Sequence, residues 1–239
     1  MDTHDIVRSR ALNTIPSRKL QHALDVIQES NDELANKHVK LIAINRYAES
    51  NIPIEYWTLK MERDFTGDPK LLAKYTDYTS DLKKSYINGS SICFAGGHGL
   101  GKTMTITSIL KKASQKGFNC LYTTLSDIVN VLTVGGGEDK FLARRELTMV
   151  DFLAIDEFDP RFMPSDNAAD LYARSLEGIF RVRAQNKLPT LMGTNSPKPV
   201  ESFKGALRNS VASLMKGYIE EFFVYPGEDH RDLKKVKAQ

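Results

Sequence analysis

The stretch GGHGLGKT, residues 96–103, stands between the apolar run SICFA and MTITSILKKA, which has the spacing of a helix. A strand that passes through four glycines straight into a helix leaves few folds open. Gly96, Gly101, Lys102 and Thr103 match the spacing G-x-x-x-x-G-K-[ST] of a phosphate-cradling loop. Glycines let such a backbone curl until its N–H groups converge on phosphate oxygens. The helix that follows turns its positive end toward the same point. The residues expected to surround a nucleoside triphosphate are therefore Gly96, Gly97, His98, Gly99, Leu100, Gly101, Lys102, Thr103 and Met104. Lys102 supplies a cation for the β- and γ-phosphates and Thr103 a hydroxyl for Mg²⁺; His98 supplies only a backbone position. ATP and Mg²⁺ are the ligands this reading predicts.

Around that loop, short apolar runs alternate with helical periodicity. SICFA, NCLYTT, VDFLAI, LPTLMGT and EEFFVY read as five strands. Helices are predicted from about Lys102 to Gln115, over LSDIVNVL, over KFLARRELT and over NAADLYARSLEGIFRVRAQN, with GGGEDK at 135–140 as a flexible break. Continuous apolar strands that alternate with helices indicate an α/β fold, a parallel sheet covered on both faces.

Ahead of the sheet, SRKLQHALDVIQES carries Leu20, Leu24 and Ile27 at helical spacing. NDELANKHVKLIAINRYAES forms a second helix that stops near Pro53. This pair is either a support packed on the main domain or a docking arm. The expected organisation is a helical module over 1–50, a nucleotide-binding domain over 51–231 and a basic tail over 232–239.

Two further groups carry chemistry. VDFLAIDEFD places Asp156 and Glu157 at the carboxyl end of a strand, where open α/β sheets bind ligands. Asp156 is expected to hold Mg²⁺ and Glu157 to take a proton from attacking water. LPTLMGTN ends in Thr194-Asn195; Asn195 either orients that water or caps the turn before SPKP.

Composition rules out other classes. Hydrophobic residues at 41% and charged residues at 26% are ordinary for a soluble globular chain. No apolar run approaches the roughly 18–20 residues of a membrane span, and the amino terminus lacks a secretion-type apolar core. Cys93 and Cys120, the two cysteines, sit in strand-like runs and read as reduced core residues. A cytoplasmic setting without a membrane partner is expected. A net charge of +3 permits nucleic-acid contact without arguing for it.

Several features in order resemble the AAA+ ATPases of the DnaC/DnaI helicase-loader type, with IstB-type transposition helpers as relatives. They are NIP followed by aromatics at 51–57, CLYTTLSDIVNVL, RAQNKLPTLMGTN and PGEDHR, in addition to the two general motifs. The resemblance implies a slow ATPase stimulated by DNA or a partner, self-assembled into a ring or spiral, that delivers a DnaB-type hexameric helicase onto single-stranded DNA. A transposition helper on duplex DNA and a nucleotide-switched adaptor remain the alternatives. In such loaders the segment after the second strand faces DNA. Lys140 and Arg144, one helical turn apart, are the matching basic residues, or else part of a solvated face. Loaders also carry an arginine finger just before a leucine in the helix after the sensor strand. Here Ser213 precedes Leu214, and Arg208 is the nearest arginine to take that role. Ile52, Tyr56 and Trp57 either line an adenine pocket or pack in the core, and Arg231 either contacts nucleotide or steadies the closing strand.

Overall fold

The computed structural model describes residues 34–134, 136–159, 168–196, 198, 209–219 and 221–224. Leu20, Leu24, Ile27, Arg208, Arg231 and the tail over 232–239 lie outside them. Five strands form one sheet: β1 (Ile92–Ala95), β2 (Cys120–Thr124), β3 (Phe152–Asp156), β4 (Thr190–Thr194) and β5 (Glu221–Val224). The spatial order is β2-β3-β4-β1-β5, and every neighbouring pair is parallel.

Parallel pairing requires crossovers, and the helices supply them. Ahead of β1 come α1 (Leu34–Glu49), the short α2 (Met61–Asp64), α3 (Pro69–Ser80) and α4 (Leu82–Asn88). Next are α5 (Lys102–Gln115), α6 (Leu125–Val134), α7 (Gly137–Met149), α8 (Ala168–Gln185) and α9 (Asn209–Tyr218). The expected break over 135–140 is shorter than GGGEDK suggests. Helix α7 already starts at Gly137, because the Asp139 carboxylate accepts the Gly136 N–H at 3.3 Å and caps the first turn.

The two-residue period of each strand divides its side chains between two cores. Phe152 and Ala154 of β3 join Ile92, Phe94 and Tyr122 against α5, α3 and α1. Leu153 and Ile155 join Cys93, Leu121 and Met192 against α6, α8 and α9. Helix α5 presents Ile106, Ile109, Leu110 and Ala113 to the first core, the i, i+3, i+4, i+7 stripe of a helix on a sheet. Both cysteines are free and buried, and desolvation pushes the Cys93 thiol up to about 12.

The connector over 52–88 is largely helical and packs into the first core. Asp68 caps α3 by accepting the Lys70 N–H at 2.8 Å, with Pro69 in the first turn. Buried Lys111 donates to the carbonyls of Tyr56 (2.6 Å) and Leu59, which fastens the connector to α5. At the end of α1, Arg46 donates to the carbonyls of Ser114 (2.8 Å) and Gln115 (3.0 Å). The edge of β2 is covered as well: Tyr122 N–H donates to Ser50 O at 2.8 Å, and Asn51 Nδ2 donates to Tyr122 O at 3.0 Å.

One fully buried cation holds the amino-terminal end of the sheet together. Arg183 of α8 donates to Thr190 Oγ1 at 2.9 Å and to the carbonyls of Leu147 (3.1 Å), Val150 (2.9 Å) and Pro189 (2.6 Å). The end of α7 and the start of β4 are thus tied to one guanidinium, whose planar fork suits several acceptors at once. Replacing it leaves buried carbonyls unpaired, at about 1–3 kcal/mol each. Arg183→Met is expected to lower the urea-unfolding free energy by about 3 kcal/mol or more on that basis. Arg183→Lys should recover only part of the loss.

Candidate nucleotide site

Three adjacent strands bring the chemistry together at their carboxyl ends. Ala95, the last residue of β1, pairs in register with Thr194, the last of β4. Gly96 N–H continues the pairing by donating to Thr194 O at 3.2 Å. The glycine loop after β1 and Asn195 after β4 therefore leave the sheet side by side. On the other side of β4, Ile155 pairs with Met192, so Asp156 ends its strand beside Gly193.

The loop has the backbone that its glycines permit. Gly96, Gly99 and Gly101 have φ values of 151°, 69° and 87°, in a region that side chains rarely occupy. Gly97 and His98 are exposed, whereas Leu100 is buried and anchors the loop in the first core. Met104 packs half-buried against that core. Lys102, buried at the first position of α5, donates through Nζ to Gly96 O at 3.0 Å and to Gly97 O. The ammonium thus sits inside the curve of the loop. Thr103 follows half-buried, and no described residue is hydrogen-bonded to its hydroxyl.

Asp156 is 3% exposed and closely held. Its Oδ1 accepts the Glu157 N–H at 2.9 Å, and its Oδ2 accepts the Tyr122 hydroxyl at 3.1 Å. Burial, reinforced by the neighbouring Asp156 charge, raises the Tyr122 phenol above its ordinary pKa, so it remains a proton donor. The carboxylate lies against Gly193, where a β-carbon would overlap Oδ1 and come within 3.0 Å of Ile106 Cδ1. Glu157 takes a left-handed φ of 49°, and Phe158 N–H donates to Gly193 O at 2.7 Å. That turn leaves the Glu157 side chain exposed over the strand ends. Asn195 is half-buried, and Thr194 Oγ1 accepts the Ser196 N–H at 3.2 Å.

These donors suit ATP with Mg²⁺. A curved glycine backbone at a helix start binds phosphate. Magnesium keeps several waters and takes only one or two protein oxygens beside phosphate, and Thr103 and Asp156 match that need. No cluster of three or more metal-ligating side chains exists among the described residues.

Of the two readings of Trp57, the structure shows core packing. Trp57 and Ile52 are buried at 5% and 2% exposed, and Trp57 Nε1 donates to Ile52 O at 2.8 Å. They pack in the core, with Tyr56 half-buried beside it. Phe65 instead closes on the loop: a β-carbon at Gly101 would overlap its ring. The sequence reading missed Phe65, and the glycine at 101 was the available signal. Lys140 and Arg144 lie on α7, and Arg144 Nη2 rests over Gly178 of α8, where a β-carbon would come within 2.8 Å of it. A separate 520 Å³ groove lined by Arg46, Phe118, Arg145 and Met149 includes no loop residue.

Strand order, the glycine loop after β1 and the acidic pair after β3 define an α/β P-loop fold of AAA+ type. Solved structures share it. The DnaC helicase loader aligns with 71% of this chain and 98% of its own at 20% identity and a TM-score of 0.55. DnaI aligns with 75% of this chain and 94% of its own at 16% identity and a TM-score of 0.56. The replication initiator DnaA, bound to AMPPCP and single-stranded DNA, aligns with 78% of this chain at 17% identity and a TM-score of 0.57. The chain spans about half of the DnaA protein (55%) and of a DNA replication initiation factor (54%). At these identities the similarity establishes the fold. No family model matches the chain, and no curated protein matches it. No described helix is long and apolar enough to cross a membrane.

Gly193→Ala tests the tight approach of β3 and β4. The added methyl has to displace Asp156 or Ile106, and overpacking of this kind costs about 1–3 kcal/mol. Urea unfolding should show a loss in that range, whereas Gly117→Ala, with open space around its β-carbon but a φ of 92°, reports backbone strain alone.

Proposed function

We propose that this chain is an ATP-dependent replication protein that loads a DnaB-type hexameric helicase onto single-stranded DNA. The observation that carries the proposal is the convergence of Lys102, Asp156, Glu157 and Asn195 at three neighbouring strand ends, on a fold shared with a DnaC helicase loader over nearly all of that protein. DnaA, with the same fold, carries an ATP analogue and single-stranded DNA.

In this reading the backbone of residues 96–103 holds the phosphates and Lys102 meets the β- and γ-oxygens. Thr103 and Asp156 hold Mg²⁺, which when bound neutralises charge on the phosphates. Glu157 accepts the proton of the attacking water, and Asn195 orients that water beside the γ-phosphate. Arg208 completes the site of a neighbouring copy, where an arginine finger raises the rate by about 10³–10⁵ in other P-loop enzymes. Lys140 and Arg144 contact DNA phosphates, and the module over 1–50 docks on the helicase. Nucleotide state then governs the grip on DNA, since ATP needs only to bind one conformation more tightly to shift the population.

Fluorescence anisotropy with single-stranded and duplex DNA, in ATP analogue, ADP or no nucleotide, tests the proposal. Tight single-strand binding is expected only with the analogue, and Lys102→Ala should abolish it. A preference for duplex would replace the loader with a transposition helper. DNA binding in no state would leave a nucleotide-switched adaptor.

A further inference from the structure

We infer that Tyr122 is a positioning residue for Asp156, holding the carboxylate in the orientation that Mg²⁺ requires. The inference rests on the ATP–Mg²⁺ reading of the site. Tyr122 and Asp156 belong to adjacent parallel strands, and the Cα partner of Tyr122 is Ala154, two residues before Asp156. Tyr122, Ala154 and the Asp156 side chain share one face of the sheet, so the phenol leans along β3 by two residues, about 6.6 Å at 3.3 Å per residue. Its hydroxyl ends 3.1 Å from Asp156 Oδ2. The carboxylate is then held on every side: Tyr122 at one oxygen, the Glu157 N–H at the other, and Gly193 beneath. A carboxylate oxygen that accepts one such bond keeps a lone pair for a metal-bound water.

Tyr122 is itself fixed by its backbone rather than by packing alone. On the outer edge of β2 its N–H donates to Ser50 O and its carbonyl accepts from Asn51 Nδ2. Asn51 does this from a left-handed backbone, φ 53°, a conformation that asparagine tolerates better than most residues. A continuous set of hydrogen bonds therefore joins the end of α1 to the carboxylate: Ser50 and Asn51 hold the Tyr122 backbone, and the Tyr122 hydroxyl holds Asp156. The end of α1 thereby helps to set the metal ligand, although it lies on the outer side of β2.

The test is a Mg²⁺ titration of fluorescent ATP-analogue binding, with affinity in EDTA measured alongside. Loss of an outer hydrogen bond to a metal ligand typically costs 10–100-fold in metal affinity. Tyr122→Phe keeps the ring and removes only the hydroxyl. It should raise the half-saturating Mg²⁺ concentration about tenfold on that scale and leave affinity in EDTA unchanged. Asn51→Ala, which keeps the phenol and releases its backbone, should shift the Mg²⁺ midpoint in the same direction by less. Mn²⁺ binding followed by electron paramagnetic resonance in the presence of the analogue should weaken in the same order. Wild-type and Tyr122→Phe midpoints that coincide, while wild type still gains affinity from Mg²⁺, would overturn the inference alone. A wild-type protein that binds no analogue with or without Mg²⁺ would overturn the ATP-site reading and this inference with it.

Discussion

The Asp156 carboxylate occupies the space that a side chain at residue 193 would take. This exclusion lets β3 and β4 bring an acidic group and the chain after Thr194 to one place. From there the parallel register does the rest. With β4 between β3 and β1, the acidic pair, Asn195 and the glycine loop necessarily emerge at the same edge of the sheet. Glycine at 193 is thus as much a part of the site's construction as the glycines of the loop, although it touches no phosphate in the proposed chemistry.

The two ends of the sheet are built for different ends. At the amino-terminal end, Arg183, Thr190 and Tyr218 form a buried network. Tyr218 and Thr190 share a hydroxyl–hydroxyl contact of 2.8 Å, and Ser91 Oγ accepts the Thr190 N–H at 2.9 Å. A fully satisfied network of this kind rigidifies its surroundings, and a half-satisfied one would be costly. At the carboxyl end, polar groups are left accessible: Gly97, His98 and Glu157 are exposed. Glu157 also keeps a left-handed backbone, for which a non-glycine residue incurs strain of order 1–3 kcal/mol. Accessible polar groups at one edge, and a buried network at the other, is the arrangement expected of a sheet that presents a binding site.

Much of this was legible beforehand. Helix α5 spans Lys102–Gln115 as its periodicity predicts, and the five apolar runs are the five strands. Buried parallel strands need unbroken apolar sequence, and helices on a sheet need a 3.6-residue stripe, so both signals are local. The glycine loop and the acidic pair were equally plain, because each is defined by residue types at short fixed spacing. The connector over 52–88 was less so: its helices α2, α3 and α4 carry short, mixed patterns whose apolar residues turn inward only in the assembled first core.

The sequence by itself determined the class of fold, the glycine loop and the pair of carboxylates, since these follow from spacing within a few residues. Only the tertiary structure decided which distant groups hold them. Phe65 rather than Trp57 meets the loop, the distant Tyr122 joins the adjacent Glu157 N–H in bonding the Asp156 carboxylate, and Arg183 gathers carbonyls from as far away as Leu147. Asn51 reaches Tyr122 across 71 positions of chain. Such contacts leave no periodic trace, because hydrogen-bond geometry depends on how strands and helices are brought together and not on their order along the chain.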